Sequence, residues 1–236
     1  MRRLYVMRHG ETLYLGRQSE DGSDLTPAGR EQIQAAAELF RAVPLDLVLS
    51  SPMRRAVGTA TIVAASRGLP VEVVPELREM TPNVSDGMLL AEIFSQVLRF
   101  FSSPAVTWDT PFVGGETFRE VRARLQRFLA ELLGRSGWTN ALAVAHGGAN
   151  MAFFACVLGL SDGEIPHLEQ DLGCINAFDF DDGGRGLVRL VNFSAHDPLK
   201  ASQREPSFER LRRVLEARGE ALAGLRWTGV DRDPDV

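Results

Sequence analysis

Two of the chain's four histidines, His9 and His146, each close an apolar run and stand directly before a glycine. The first run continues into Arg8-His9-Gly10-Glu11-Thr12 and the second into His146-Gly147-Gly148. Two other apolar runs end in Ser50-Ser51-Pro52-Met53-Arg54-Arg55 and Glu76-Leu77-Arg78-Glu79. Taken singly, each feature has a plain structural explanation. A strand-end histidine can bond a loop carbonyl, an arginine in a first helical turn is often solvated, and Glu79 suits an ordinary surface. Taken together they offer two imidazoles, at least two guanidiniums and a carboxylate to one rim. Guanidiniums fork onto non-bridging phosphoryl oxygens. A neutral imidazole can attack phosphorus in line, and a second, if protonated, can stabilise the equatorial charge. A carboxylic acid can protonate the leaving oxygen and then serve as base toward water. A bound metal fits less well, because Arg8 adjoins His9, although Glu11 and Glu79 are of ligand type.

These residues need strands that stop at a common edge. Short apolar runs at Leu4–Met7, Leu45–Leu49, Val71–Val74 and Ala141–Ala145 read as strands, each followed by a helical pattern. Helices are expected from Pro27 to about Val43 with Thr26 as cap, and from Pro52 to about Arg67 capped by Ser51. Further helices are expected over Ser85 to about Phe101, from near Thr117 with Glu120 in capping-box spacing, and over Gly148 to Leu158. Ile175–Phe180 and Leu187–Phe193 read as a hairpin around Asp181-Asp182-Gly183-Gly184, and Pro206–Leu225 as an amphipathic tail helix. Alternating strands and helices imply an α/β fold: a three-layer α/β/α sandwich whose mostly parallel sheet carries an antiparallel edge. In such sheets ligands bind beyond the carboxyl ends of the strands, where these residues fall.

Composition agrees with one such domain spanning residues 1–236. It would carry a lid-like insertion at about 80–115 and a C-terminal helical extension at about 205–225. With 44% apolar and 24% charged residues, the chain is neither disordered nor collagen-like. No apolar run is long enough to span a bilayer, and the run before Arg8 is too short for a signal peptide, so a cytoplasmic location is expected. A net charge of −5 without a basic block gives no support to nucleic-acid or membrane binding. Lys200 is the single lysine, so the cationic chemistry falls to arginine. Cys156 and Cys174 lack metal-type spacing and read as reduced thiols.

In order, these motifs resemble the histidine phosphatase superfamily, the phosphoglycerate mutase-like group. Arg8-His9-Gly10-Glu11-Thr12, Leu25-Thr26-Pro27-Ala28-Gly29-Arg30-Glu31-Gln32, Ser50-Ser51-Pro52-Met53-Arg54-Arg55-Ala56, Gly114-Gly115-Glu116-Thr117 and Val144-Ala145-His146-Gly147-Gly148 each match a family segment, over about residues 4 to 195. The resemblance implies that His9 becomes phosphorylated, that Arg8, Arg55 and His146 hold the phosphate, and that Glu79 is the proton donor, with Glu11 in reserve. Thr12, Arg17 and Gly147 are further expected substrate contacts. It implies no metal and no organic cofactor. Tyr14 and Leu15 depart from the family's usual tryptophan and asparagine, and Thr81-Pro82-Asn83-Val84-Ser85-Asp86-Gly87 replaces its usual segment after the acid.

A phosphohistidine can pass its phosphoryl group to water or to a second hydroxyl. A phosphoglycerate mutase needs extra cations from the insertion, yet Met80 to Gly115 holds one basic residue, Arg99, against Asp86, Glu92 and Asp109. A metal-independent phosphatase acting on a small-molecule phosphomonoester is therefore expected over a mutase or a non-catalytic phosphate-binding module. The tail helix would cover the sheet or form a homodimer contact. His167 and His196 carry no motif.

Overall fold

The computed structural model describes residues 1–12, 24–85, 87–103, 105–161, 168–202 and 205–217. Its strands are β1 (Arg2–Arg8), β2 (Leu47–Ser50), β3 (Val71–Val73), β4 (Asn140–Ala145), β5 (Ile175–Phe180) and β6 (Gly186–Phe193). Its helices are α1 (Pro27–Phe40), α2 (Arg54–Ala65), α3 (Leu90–Ser102), α4 (Phe118–Gly134), α5 (Gly147–Leu158) and α6 (Ser207–Ala217). One sheet runs β3-β2-β4-β1-β5-β6. The first four of these are mutually parallel, while β5 is antiparallel to both β1 and β6. The expected α/β sandwich with an antiparallel edge is thus observed.

Side-chain alternation splits the core into two layers. Leu4, Val6, Ala141, Ala143 and Ala145 face a cluster with Val121, Leu125, Phe128, Phe153 and Phe178. Met7, Val48, Leu142 and Val144 face the other cluster, with Ile33, Phe40, Ala56, Ala60 and Val63. α5 lies against β1 and β6 on this face of the sheet. This helix is apolar nearly all round, and its middle from Ala152 to Ala155 is buried while Leu158 at its end is exposed.

Two helix starts follow their local chemistry closely. Thr26 accepts the Gly29 amide at 2.9 Å with Pro27 in the first turn, and Thr117 and Glu120 form a reciprocal capping box. Two starts differ from expectation. The helix expected at Ser85 begins at Leu90, because the Met88 amide closes a turn on the Ser85 carbonyl and Gly87 takes φ +84°. The helix expected from Pro52 begins at Arg54, with Met53 rather than Ser51 in the cap position. Of the tail helix, the stretch from 218 to Leu225 and the side chains of Phe208, Leu211, Val214 and Leu215 lie outside the described residues, as do Arg17 and His167.

The segment from Met80 to Gly115 is packed onto the body by its apolar residues. Met80, Val84, Ile93, Phe100, Trp108 and Phe112 all join the cluster of α4 and α5. Gly115 sits so tightly that a Cβ there would lie 2.2 Å from the Thr81 carbonyl oxygen. Cys174 is buried and Cys156 half-buried, both as free thiols, with burial pushing them up to about 12 and about 11.

Candidate active site

Strand register brings the two histidines together. β1 and β4 are adjacent and parallel, with Met7 opposite Val144 and Arg8 opposite Ala145. The next residue on each strand is a histidine, so one strand spacing separates them. Their ring centroids lie 5.1 Å apart with planes inclined at 57°. Both are buried, His9 at 2% and His146 at 0% exposure. β2 flanks β4 on its other side with Ser50 opposite Val144, which carries Ser51 to the second imidazole.

Hydrogen bonds set the tautomers. The His9 Nδ1 lies 2.8 Å from the Gly10 carbonyl oxygen, which only accepts, so Nδ1 carries the proton and the lone pair resides on Nε2. The His146 Nε2 lies 2.8 Å from the Ser51 hydroxyl, which already accepts the Met53 amide at 3.3 Å. When that hydroxyl donates to Nε2, the proton rests on Nδ1, a buried atom with no hydrogen-bond partner. In that tautomer the site presents one imidazole suited to nucleophilic attack and one suited to donating a hydrogen bond.

The electrostatics keep both rings neutral. His9 is held well below the usual imidazole range by burial, then by the charges of Arg55 and Arg8. His146 is lowered likewise by burial and by Arg55, with smaller effects from His9, Arg8 and Arg124. Arg55 is 8% exposed in the first turn of α2, its Nη2 3.1 Å from the Met53 sulfur. Arg8 lies along Gly147, where a Cβ would come 3.5 Å from its guanidinium carbon, and its Nη1 donates to the Gln170 carbonyl. Thr59 braces this arrangement, accepting the Gly10 amide at 3.1 Å and donating to the Arg55 carbonyl at 2.8 Å.

Glu79 arrives from β3 through a 3-10 turn at Pro75–Leu77. Its carboxylate accepts the Met80 amide at 2.9 Å and, at the start of α5, the Gly148 and Ala149 amides at 3.1 and 3.2 Å. The carboxyl group therefore stands two residues from His146. A Cβ on Gly148 would come within 2.6 Å of Glu79 Oε1. Glu11 is placed differently: its Oε1 accepts the Thr26 hydroxyl at 2.7 Å, at the start of α1. Thr12, expected near substrate, donates its hydroxyl to the Asp24 carbonyl at 2.8 Å. His196 is exposed, and burial of part of its ring lowers it below the usual range.

Three supporting groups had not been singled out. Ser51 read as a helix cap but orients His146. Arg124, 9% exposed on α4, donates to Glu116 at 2.8 and 3.2 Å, to the Glu79 carbonyl at 3.2 Å and to the Glu76 carbonyl. It lies within the apolar stripe of its helix, three residues after Val121, and an arginine there was the available signal. Behind Arg8, the buried Gln170 Oε1 accepts from Asn150 at 3.0 Å and Asn176 at 2.8 Å. No period or motif marks that cluster. Among the described residues no three His, Cys, Asp or Glu side chains converge as a metal site would need.

Imidazoles and guanidiniums so arranged suit a tetrahedral oxyanion. Residues 4–193 match the model of the histidine phosphatase superfamily (branch 1), and the chain belongs to that family. It is 33% identical over 184 residues to the adenosylcobalamin/alpha-ribazole phosphatase of Escherichia coli (strain K12), covering 75% of this chain and 89% of that protein. It is 35% identical over 209 residues to the glucosyl-3-phosphoglycerate phosphatase of Mycolicibacterium vanbaalenii, covering 83% and 85%. The solved mycobacterial glucosyl-3-phosphoglycerate phosphatase in complex with VO3 superposes with a TM-score of 0.70 at 29% identity, covering 81% of this chain and 99% of that one.

Proposed function

We propose that the protein hydrolyses a small-molecule phosphomonoester through a phosphohistidine on His9. The observation that carries this reading is the pair of neutral, buried imidazoles 5.1 Å apart, beside the guanidinium of Arg55. Arg8, Arg55 and the Nδ1–H of His146 hold the non-bridging oxygens. The Nε2 lone pair of His9 attacks phosphorus as the ester P–O bond breaks, and Glu79 gives its proton to the leaving alcohol oxygen. Glu79, now a carboxylate, takes a proton from water. The water oxygen bonds phosphorus, the N–P bond breaks, and inorganic phosphate leaves. No metal or organic cofactor enters these steps. Glu79 is preferred to Glu11 because the Gly148 and Ala149 amides, just after His146 in the chain, hold its carboxyl group, whereas Glu11 is bonded by Thr26 at the start of α1.

Water is the acceptor in this reading because the segment over the site is poor in cations. Its one basic residue, Arg99, is exposed on α3. The buried apolar residues of that segment pack the body, so the substrate's alcohol portion meets few charges. Relatives named for alpha-ribazole and glucosyl-3-phosphoglycerate phosphatase activities point the same way, toward a leaving group larger than phosphoglycerate itself. We place the enzyme in the cytoplasm as a single domain with its lid at about 80–115; among the described residues no helix is long and apolar enough to cross a membrane.

A screen of phosphomonoesters tests the proposal, with 3-phosphoglycerate as the mutase control. Phosphate release from a neutral-alcohol ester is expected, abolished in His9→Ala. Efficient isomerisation of 3-phosphoglycerate, or undiminished hydrolysis by the variant, would overturn it.

A further inference from the structure

The family match ends at residue 193, yet the chain beyond it reaches back to the phosphate clamp. The point of contact is the short segment Glu169-Gln170-Asp171, whose central carbonyl receives Arg8 Nη1. Each flank of that carbonyl is tied down from the C-terminal segment. On one side Ser207, at the start of α6, donates its hydroxyl and, at 3.3 Å, its amide to Glu169. On the other, Lys200 Nζ lies 2.5 Å from Asp171 Oδ2 and 2.6 Å from the Ser194 hydroxyl. Asp171 is 4% exposed and Ser194 fully buried, while the Lys200 side chain keeps 30% exposure, so this ion pair is partly shielded from water. Ser207 Oγ also lies 3.3 Å from Arg8 Nη1 itself.

The backbone is shaped for this grip. Lys200 adopts φ +55°, a left-handed conformation unfavourable for a residue with a side chain. It is held there by Asp197, whose carboxylate accepts the Ala201 and Ser202 amides at 2.9 and 3.1 Å and whose carbonyl accepts the Lys200 amide. The same 170–174 stretch supports the nucleophile's strand: the Gly173 amide donates to the His9 carbonyl and the Arg8 amide to the Cys174 carbonyl.

We propose that residues 197–202 and 205–207 form a strap that fixes the Arg8 guanidinium for phosphate, with Lys200 and Ser207 as positioning residues acting through the Glu169–Asp171 segment. This rests on the assignment of Arg8 to the phosphate site. The one lysine of the chain thereby has a task that reaches the reaction centre without touching substrate.

The test is the dissociation constant for inorganic phosphate, measured by titration on the full chain, alongside Tm. Lys200→Met is expected to weaken phosphate about five- to ten-fold, the scale of one ordinary hydrogen bond, and Ser207→Ala about two-fold. Lys200→Arg should stay within about two-fold of wild type, since the ion pair survives. The discriminating step is a double-mutant cycle: in an Arg8→Ala background, Lys200→Met should weaken phosphate no further. Equal weakening with and without Arg8 would mean general loosening and overturn the proposal. So would wild-type affinity in both single variants. If Lys200→Met does not fold, Ser207→Ala runs the same cycle. Because binding is read directly, a wild type that binds phosphate but hydrolyses no ester refutes the hydrolase reading and leaves the strap to be judged on its own cycle.

Discussion

At the scale of single residues, protonation decides what His9 can do. A nucleophilic imidazole must be neutral, and burial with Arg55 and Arg8 holds its pKa well below 6.5. Protonation, and so loss of attack, then begins only below that value. The acid limb of kcat/KM is expected below pH 6.5, and Arg55→Met, which removes the largest charge acting on the ring, should move it upward. A limb above pH 6.5 in the wild type, or one indifferent to Arg55, would speak against this electrostatic picture. His9→Ala should lower turnover by about three orders of magnitude or more, the general scale of lost covalent catalysis. The meeting of His9, His146 and Glu79 at one end of the sheet was legible from sequence because each follows an apolar run. Thr12 was a weaker inference, since a hydroxyl beside a motif is as readily spent on a loop carbonyl, as its bond to Asp24 illustrates.

At the scale of elements, the proposed proton transfer depends on the meeting of α5 with the segment after β3. Glu79 takes the Gly148 and Ala149 amides, and Gly148 has no room for a side chain beside that carboxylate. Gly148→Ala should displace the acid, lowering kcat about ten- to hundred-fold for alkyl phosphates, a partial loss of the roughly hundred-fold or greater contribution of general-acid catalysis. The loss should be far smaller for p-nitrophenyl phosphate, whose leaving group departs without help. A deficit of equal size with both substrates would argue against Glu79 as the proton donor. Strands and helices of this region were read within a few residues because their periods and caps are local. The start of α2 was not, because the Ser51 hydroxyl that looks like a cap is drawn to His146, a partner 95 positions away. Arg124 was overlooked for a similar reason: its partners lie in segments that only folding brings to α4.

For the whole molecule, the buried imidazoles link stability to pH. Each ring is neutral when folded and regains an ordinary pKa near 6.5 when unfolded. Below about pH 6.5 the unfolded chain therefore binds more protons, so stability present above that value is lost as pH falls. The Tm of wild type relative to His9→Gln should decline between pH 7 and 5; a constant difference would contradict it. Core packing makes a separate demand. Leu125 on α4 is fully buried against the sheet, and Leu125→Ala should destabilise by about 2–5 kcal/mol in denaturant unfolding while leaving KM little changed in the folded fraction. The layered fold itself was legible, since strands alternating with helices admit few arrangements. The tie of the C-terminal segment to Arg8 was not, because Lys200 and Ser207 belong to no periodic pattern.

The account turns on a covalent bond between phosphorus and one nitrogen. The most direct measurement is rapid mixing of enzyme with a labelled phosphomonoester, quenching in alkaline denaturant to preserve phosphohistidine, and locating the label by peptide mapping. Label is expected on His9 in wild type, rising before steady-state release of phosphate and absent from His9→Ala. Turnover that proceeds with no labelled protein, or with the label on another residue, would contradict it.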